Sequence, residues 1–202
     1  MSFPLPLACK LTGATRSQLL RWRRERLLVP EVNPFRPPLY SYQDLLALRS
    51  MVFLRARTSS QRLHKAWGNL PVVDLTDHPA NYNFGTDGKA IYVEGPDGPL
   101  DLTRLPGHGI DRYTFEELFQ EFKDFRGRLV VNFKRPSTHL SVHPDTLGGW
   151  PTIRGTRVAY DSIVRLVDYE TVFPEDVADF YPRVTTPAAL DALAFNESLE
   201  AA

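Results

Sequence analysis

Apolar positions in the first 70 residues recur at helical spacing in short bursts, separated by glycine, proline and N-capping residues. That pattern predicts several short helices packed on a shared core rather than strands. A brief apolar helix is expected over residues 7–11, ended by Gly13. Thr15 is a good N-cap for a helix over 16–28 that turns Leu19, Leu20, Trp22 and Leu27 inward. Pro30 stops it, and the three prolines between Val32 and Tyr40 exclude a helix there. Ser41 caps a helix over 42–55 with Leu45, Leu48, Val52 and Phe53 as core candidates, and a further helix starts at Ser59 or Ser60 and ends near Gly68.

The period then changes. Residues 81–102 alternate short β-prone runs with Asp-Gly pairs at 87–88 and 97–98, the pattern of a meander with two tight turns. Thr114 and Glu117 have capping-box spacing for a helix reaching about Phe125, and 128–133 reads as a strand. A short strand is expected over 140–143, followed by a Gly-rich stretch over 147–156. Three helices are expected over about 160–168, 174–181 and 187–198, the last two with proline at the first helical position. The fold class that follows is α+β: an N-terminal winged helix-turn-helix (1–70), a small β-rich middle segment (78–135) and a C-terminal three-helix, helix-turn-helix-like domain (139–202).

Charge sharpens this picture. The chain is neutral overall, yet residues 1–65 hold twelve Lys and Arg against Glu25, Glu31 and Asp44, a net of +9, so the remainder carries −9. Such polarity points to a polyanion partner for the first third. No apolar run approaches the roughly 18 to 20 residues of a membrane helix. The N-terminus lacks the pattern of a signal peptide, and the single Cys9 has no internal disulfide partner, which fits a cytoplasmic setting.

The segment Gly13-Ala-Thr15-Arg16-Ser17-Gln18-Leu-Leu-Arg21-Trp22-Arg23-Arg24-Glu-Arg-Leu27-Leu28-Val-Pro30, with Tyr40-Ser41-x-x-Asp44-Leu45, resembles the MerR-type DNA-binding domain over about residues 5–70. The resemblance implies a recognition helix in the major groove of double-stranded DNA and a wing beside it, with Thr15, Arg16, Ser17, Gln18, Arg21, Arg23, Arg24, Arg36 and Tyr40 as contact residues. Leu20, Arg21 and Arg26 stand where that family has an arginine, a tyrosine and a glycine. Pro38 and Leu39 replace the wing's basic pair, which leaves Arg36 as the substitute.

A second signature is His143-Pro-x-x-Leu147-Gly148-Gly149-x-Pro151-x-Ile153-x-Gly155-Thr156-Arg157-Val158, continued by Pro174-Glu-Asp-Val177 and Ala188-x-Leu-x-Ala192. It resembles a small bacterial domain found in antitoxins. Together the two modules resemble a VapB-type antitoxin, which implies neutralisation of a PIN-like ribonuclease toxin, repression of the chain's own promoter and a homodimer. PIN-type sites hold Mg2+ on clustered carboxylates, so Arg154 and Arg157 are candidate toxin-binding residues that would pair with them. The bland reading is a Gly155 turn, a Thr156 helix cap and an Arg157 that anchors an internal carboxylate. Residues 158–202 carry two bases against nine acids, a net of −7 that the duplex would repel, so DNA is assigned to the N-terminal module.

Enzyme chemistry is not indicated. His139, His143 and Asp145 lack a zinc spacing, Ser137 and Thr138 sit on no nucleophile elbow, and no phosphate-cradling glycine loop is present. No cofactor, catalytic residue or metal site is expected. The alternatives are a stand-alone MerR-like regulator whose C-terminal half dimerises or senses a ligand, and a protein-interaction adaptor that does not bind DNA.

Overall fold

The computed structural model of the protein describes residues 2–95, 98–103 and 117–200. It is α+β, with seven helices and four small antiparallel sheets among these residues.

Helix α1 (Leu5–Thr12) starts at Pro4, in extended conformation, and ends at Gly13, whose φ of 79° and N–H bond to the Cys9 carbonyl (2.9 Å) close it in the left-handed manner. Gly13 is required twice over, because a Cβ there would also come within 2.5 Å of Val130. A three-residue turn leads to α2 (Arg16–Arg24). Thr15 and Gln18 form a full capping box in which the Gln18 N–H donates to Thr15 Oγ1 (3.2 Å) and the Thr15 N–H to Gln18 Oε1 (2.8 Å).

Helix α2 is shorter than the 16–28 expected. Arg26 takes a φ of 56°, and the amides of Leu27 and Leu28 both turn back to the Trp22 carbonyl, which drops Leu28 into the core. A loop then runs to strand β2 (Leu39–Tyr40), which pairs with β1 (Phe3–Pro4). Helix α3 (Tyr42–Arg57), again opened by a capping box (Ser41 with Asp44), is buried over most of its circumference and forms the axis of the molecule. Helix α4 (Ser60–Asn69) lays Leu63, Ala66 and Trp67 inward.

The middle segment wraps this helical unit. Strands β3 (Phe84–Thr86), β4 (Ile91–Gly95) and β5 (Gly98–Asp101) form the expected meander, and the register Thr86↔Ile91 puts the Asp87-Gly88 pair in the first turn. The second turn includes residues 96 and 97, outside the described residues. Phe84 stacks on Trp67 with ring centroids 4.6 Å apart.

The helix expected to reach Phe125 is not found. Thr114 lies outside the described residues, and beyond Glu117 the chain forms a turn and then a hairpin of β6 (Phe122–Lys123) with β7 (Leu129–Val130). The reason is tertiary: Phe122 and Phe133 pack against the Arg49 side chain on α3, and Phe119 packs against Phe133. Arg49 is 1% exposed and has no acid beside it among its described partners. Its guanidinium donates instead to four carbonyls: Leu11 at the end of α1 (2.7 Å), Leu118, Gln120 (2.7 Å) and Val131 (2.8 Å). Burial pushes its pKa down to about 9, still protonated at neutral pH.

The C-terminal part packs on the other flank of α1. Strands β8 (Leu140–Ser141) and β9 (Thr152–Ile153) pair antiparallel, and α5 (Tyr160–Leu166) and α7 (Thr186–Glu200) lie close to where the sequence placed them, with Pro187 second in α7. Helix α6 is a single turn (Val177–Phe180), because Pro174 sits in a turn over 174–176 instead of opening a helix. Trp150 bridges the two ends of the chain, its ring 5.6 Å from Phe3 and 6.1 Å from Tyr160. Gly149, at φ 85°, lies flat on Tyr42, where a Cβ would collide with the ring. Asp191 on α7 accepts from Ser137 Oγ (2.5 Å) and the His139 N–H (2.7 Å), tying the entry strand to the last helix. All of these contacts belong to one continuous buried cluster running from Phe3 to Leu199.

Two carboxylates hold loops in shape. Asp168 accepts from the Thr171 hydroxyl and from the N–H groups of Val172, Glu170 and Thr171, which holds it far below the usual carboxylate range. At Asp124, burial opposes ionisation but is outweighed by bonds from the Arg128 side chain and the Arg128 and Arg126 amides, so its pKa is also lowered. A depressed folded-state pKa means stability that is present above the unfolded value, about 4, and is lost as pH falls below it. The unfolding midpoint is therefore expected to decline as pH falls from about 5 to about 3. Asp168→Asn and Asp124→Asn should each flatten that decline in circular-dichroism melts. A slope unchanged in both variants would remove these groups as its source.

Candidate nucleic-acid interface

The arginines of α2 divide by exposure. Leu19 and Trp22 are buried and fix the helix against α1 and α3, which leaves Arg16, Ser17, Arg21 and Arg24 on the outer surface. Gln18 is half-buried and engaged with Thr15, so both residues serve the helix start; the Thr15 hydroxyl also lies 3.1 Å from Ser17 Oγ. Tyr40 lies in the core at 1% exposure, its hydroxyl without a hydrogen-bond partner among the described residues and pushed up to about 12 by burial. Tyr40 therefore offers no outer surface to a ligand in this fold.

The loop over 25–38 folds back beside α2. An antiparallel bridge between Asn33 and Leu39 closes its tip (N···O 3.1 and 2.9 Å), and Asn33 ties the tip internally, accepting from the Phe35 N–H (3.0 Å) and donating to the Pro37 carbonyl (2.9 Å). Arg23 straps this tip to α2 by donating Nη1 to the carbonyls of Pro34 (3.2 Å) and Phe35 (3.0 Å). Its role is positional. The result is a groove between α2 and the loop in which Arg16, Arg23, Arg24 and Arg36 converge over walls of Pro4, Leu5, Pro6, Leu20, Pro37 and Pro38. A second hollow next to it is lined by Arg23, Arg24, Arg26, Val29, Phe35 and Arg36. Arg26 and Phe35 were not singled out by sequence reasoning. Arg26 was legible as part of the arginine run, whereas the position of Phe35 depends on how the loop folds.

Not all of the N-terminal charge reaches this face. Arg49 is buried, Arg55 donates to the Thr58 carbonyl and lies over Phe125, and Arg62 donates to the Gly88 carbonyl. At the far end of α2, Glu25 is 3.9 Å from Arg21 and accepts from His64 Nε2 of α4 (2.7 Å); that bond is the main cause of its lowered pKa.

Beneath the loop, Glu31, Asp44 and His78 bring one ligand-type atom each within 4.8 Å of one another. Each is already used. Asp44 Oδ2 accepts the Glu31 and Ser41 amides, Glu31 Oε2 accepts the Ser41 hydroxyl, and His78 accepts the Ala80 amide at Nδ1 and so donates Nε2–H to Asp44 Oδ1 (3.2 Å). The group is a hydrogen-bonded brace at the root of the loop. His143 and Asp145 form an exposed pair 3.6 Å apart, while His139 is tied through its backbone to Asp191.

At the other end, residues 153–158 make a tight turn with Gly155 at φ 76°. The Thr156 hydroxyl donates to the Ile153 carbonyl and accepts the Val158 amide, so it shapes the turn; Ala159, not Thr156, occupies the N-cap of α5. Arg154 and Arg157 are both exposed and have no ion-pair partner among the described residues, so Arg157 does not anchor an internal carboxylate. No helix among the described residues is long and apolar enough to cross a membrane.

The fold and this face define an α+β protein with a cationic helix-and-loop surface at one end. Residues 140–196 match a family described as a protein of unknown function (DUF433). No curated protein and no solved structure matches the chain.

Proposed function

We propose that this chain is a DNA-binding antitoxin and autorepressor. In this reading α1, the turn at Gly13 and α2 form a helix-turn-helix, and the 25–38 loop is its wing. The observation that carries it is the convergence of Arg16, Arg24 and Arg36 beside an exposed helix, with Arg23 holding the wing in place. A helix of this width enters the major groove, and guanidinium groups on both sides of the intervening hollow meet phosphates. Two such modules in a homodimer would read a palindromic operator in the chain's own promoter. The 154–157 turn, with two unengaged guanidinium groups, supplies donors for the carboxylate cluster of a PIN-like ribonuclease.

The test has two arms. The protein should shift a duplex from its own upstream region, with affinity falling steeply as salt rises. Co-expression with the product of the adjacent open reading frame should yield a complex that is weakened in the Arg154→Ala/Arg157→Ala variant. Binding that ignores salt sinks the DNA assignment. A neighbour that neither co-purifies nor acts as a nuclease sinks the antitoxin assignment.

A further inference from the structure

Phe35 is 75% exposed at the tip of the loop, the most exposed aromatic side chain among the described residues, and Val29 and Val32 of the same loop are exposed with it. It is also held still. Its carbonyl accepts from Arg23, its amide donates to Asn33, and the adjacent Pro34 carbonyl accepts from Arg23 as well. The ring shares a hollow with the guanidinium groups of Arg23, Arg24, Arg26 and Arg36. An exposed aromatic ring carried on a backbone held in place, beside several arginines, suits a partner that offers a flat π surface within a field of negative charge. An apolar protein patch would leave the arginines desolvated and unpaired. A flat anionic lipid surface would touch the tip, but a plane cannot fill the hollow between α2 and the loop along which the arginines are arranged. A nucleic-acid duplex satisfies both requirements, with phosphates along the arginines and a base step at the ring.

We infer that Phe35 is a wedge that enters the minor groove beside the site of α2, partly unstacks one base step and bends the duplex. This rests on the DNA-binding reading above. It adds to that reading a source of specificity that is independent of hydrogen-bonded base contacts, because the energy needed to open a step depends on its sequence and is lowest at pyrimidine–purine steps. Phe35 reaches the ligand directly, whereas Arg23 acts through it.

The experiment uses the full chain and the tightest duplex selected from a random 30-base-pair library. Phe35→Ala should bind about tenfold or more weakly, the scale of one base–aromatic stack, and Phe35→Trp should restore binding. Energy transfer between dyes on the duplex ends should report a bend for the parent and Phe35→Trp that is absent from Phe35→Ala at saturation. 2-Aminopurine scanned through the site should brighten at one step only, and only with an aromatic residue at position 35. Equal affinity and equal bend for Phe35→Ala would overturn the wedge and leave the DNA reading intact. If selection recovers no duplex, both fall. If phosphatidylglycerol vesicles capture the protein in a Phe35-dependent way and duplexes do not, the tip is a membrane contact and the inference is wrong. The exposure of Phe35 makes a folding defect in Phe35→Ala easy to exclude, since its unfolding midpoint should match the parent's.

Discussion

Arg49→Met is expected to lower the unfolding midpoint by about 5 °C or more. The argument is one of unsatisfied acceptors. Arg49, itself buried, supplies donors to the Leu11 carbonyl in a fully buried bond and to those of Leu118, Gln120 and Val131 in part-buried ones. Methionine fills much of the volume and removes every donor. The Leu11 carbonyl, bonded in a fully buried setting, costs on the order of 1–3 kcal/mol when left unpaired. With the three part-buried bonds each losing a fraction of that, the total is about 2–4 kcal/mol, a large share of the roughly 5–15 kcal/mol that holds a domain folded. Lysine keeps the charge but presents donors from a single point, without the planar fork that reaches α1 and both arms of the 117–133 segment. Arg49→Lys should therefore fall between the two. Calorimetry on the three proteins decides it: a methionine variant within a few degrees of the parent would show that the carbonyls find other partners.

The second large effect concerns affinity. Arg16→Ala/Arg24→Ala removes two exposed guanidinium groups from the α2 groove without touching the core, so the fold should persist while duplex binding weakens by about tenfold or more. The diagnostic is the slope. A plot of log affinity against log salt should become shallower by about two, one unit for each phosphate that is no longer neutralised. Arg154→Ala/Arg157→Ala, at the other end of the molecule, should leave that slope unchanged. An Arg16→Ala/Arg24→Ala protein with the parent's slope would mean that this face does not meet phosphate.

Local chemistry was legible in the sequence wherever it acted alone. The stop at Gly13, the caps at Thr15 and Ser41, the Asp87-Gly88 turn and the first and last of the C-terminal helices all rest on residues that dictate their own backbone. It was misleading where distant residues overrule local preference. The spacing of Thr114 and Glu117 is that of a helix start, but Phe122 and the Gln120 carbonyl are drawn to Arg49, a partner some seventy positions away, and the described residues beyond Glu117 form a hairpin. Helix α2 stops at Arg24 although the residues after it favour helix, because Leu28 must reach the core. Within the candidate site, charge counting found the arginines but could not rank them. Arg49 had weighed in the count as one surface cation among twelve, and Arg23 as a direct contact rather than the strap that holds the loop. Tyr40 reads as a surface residue by likeness and is a core residue by packing.

The close seating of Gly149 on Tyr42 has an evolutionary consequence. Tyr42 begins the central helix immediately after the loop and its return strand, and Gly149 lies only a few residues before the exposed arginine turn. A lineage that exchanged its front half for another would have to inherit a flat ring opposite a position that tolerates no side chain. Shuffling of the two halves is thus restricted to donors that share that one lock-and-key pair, and diversification should proceed by point changes on the outer rim of α2 and the loop.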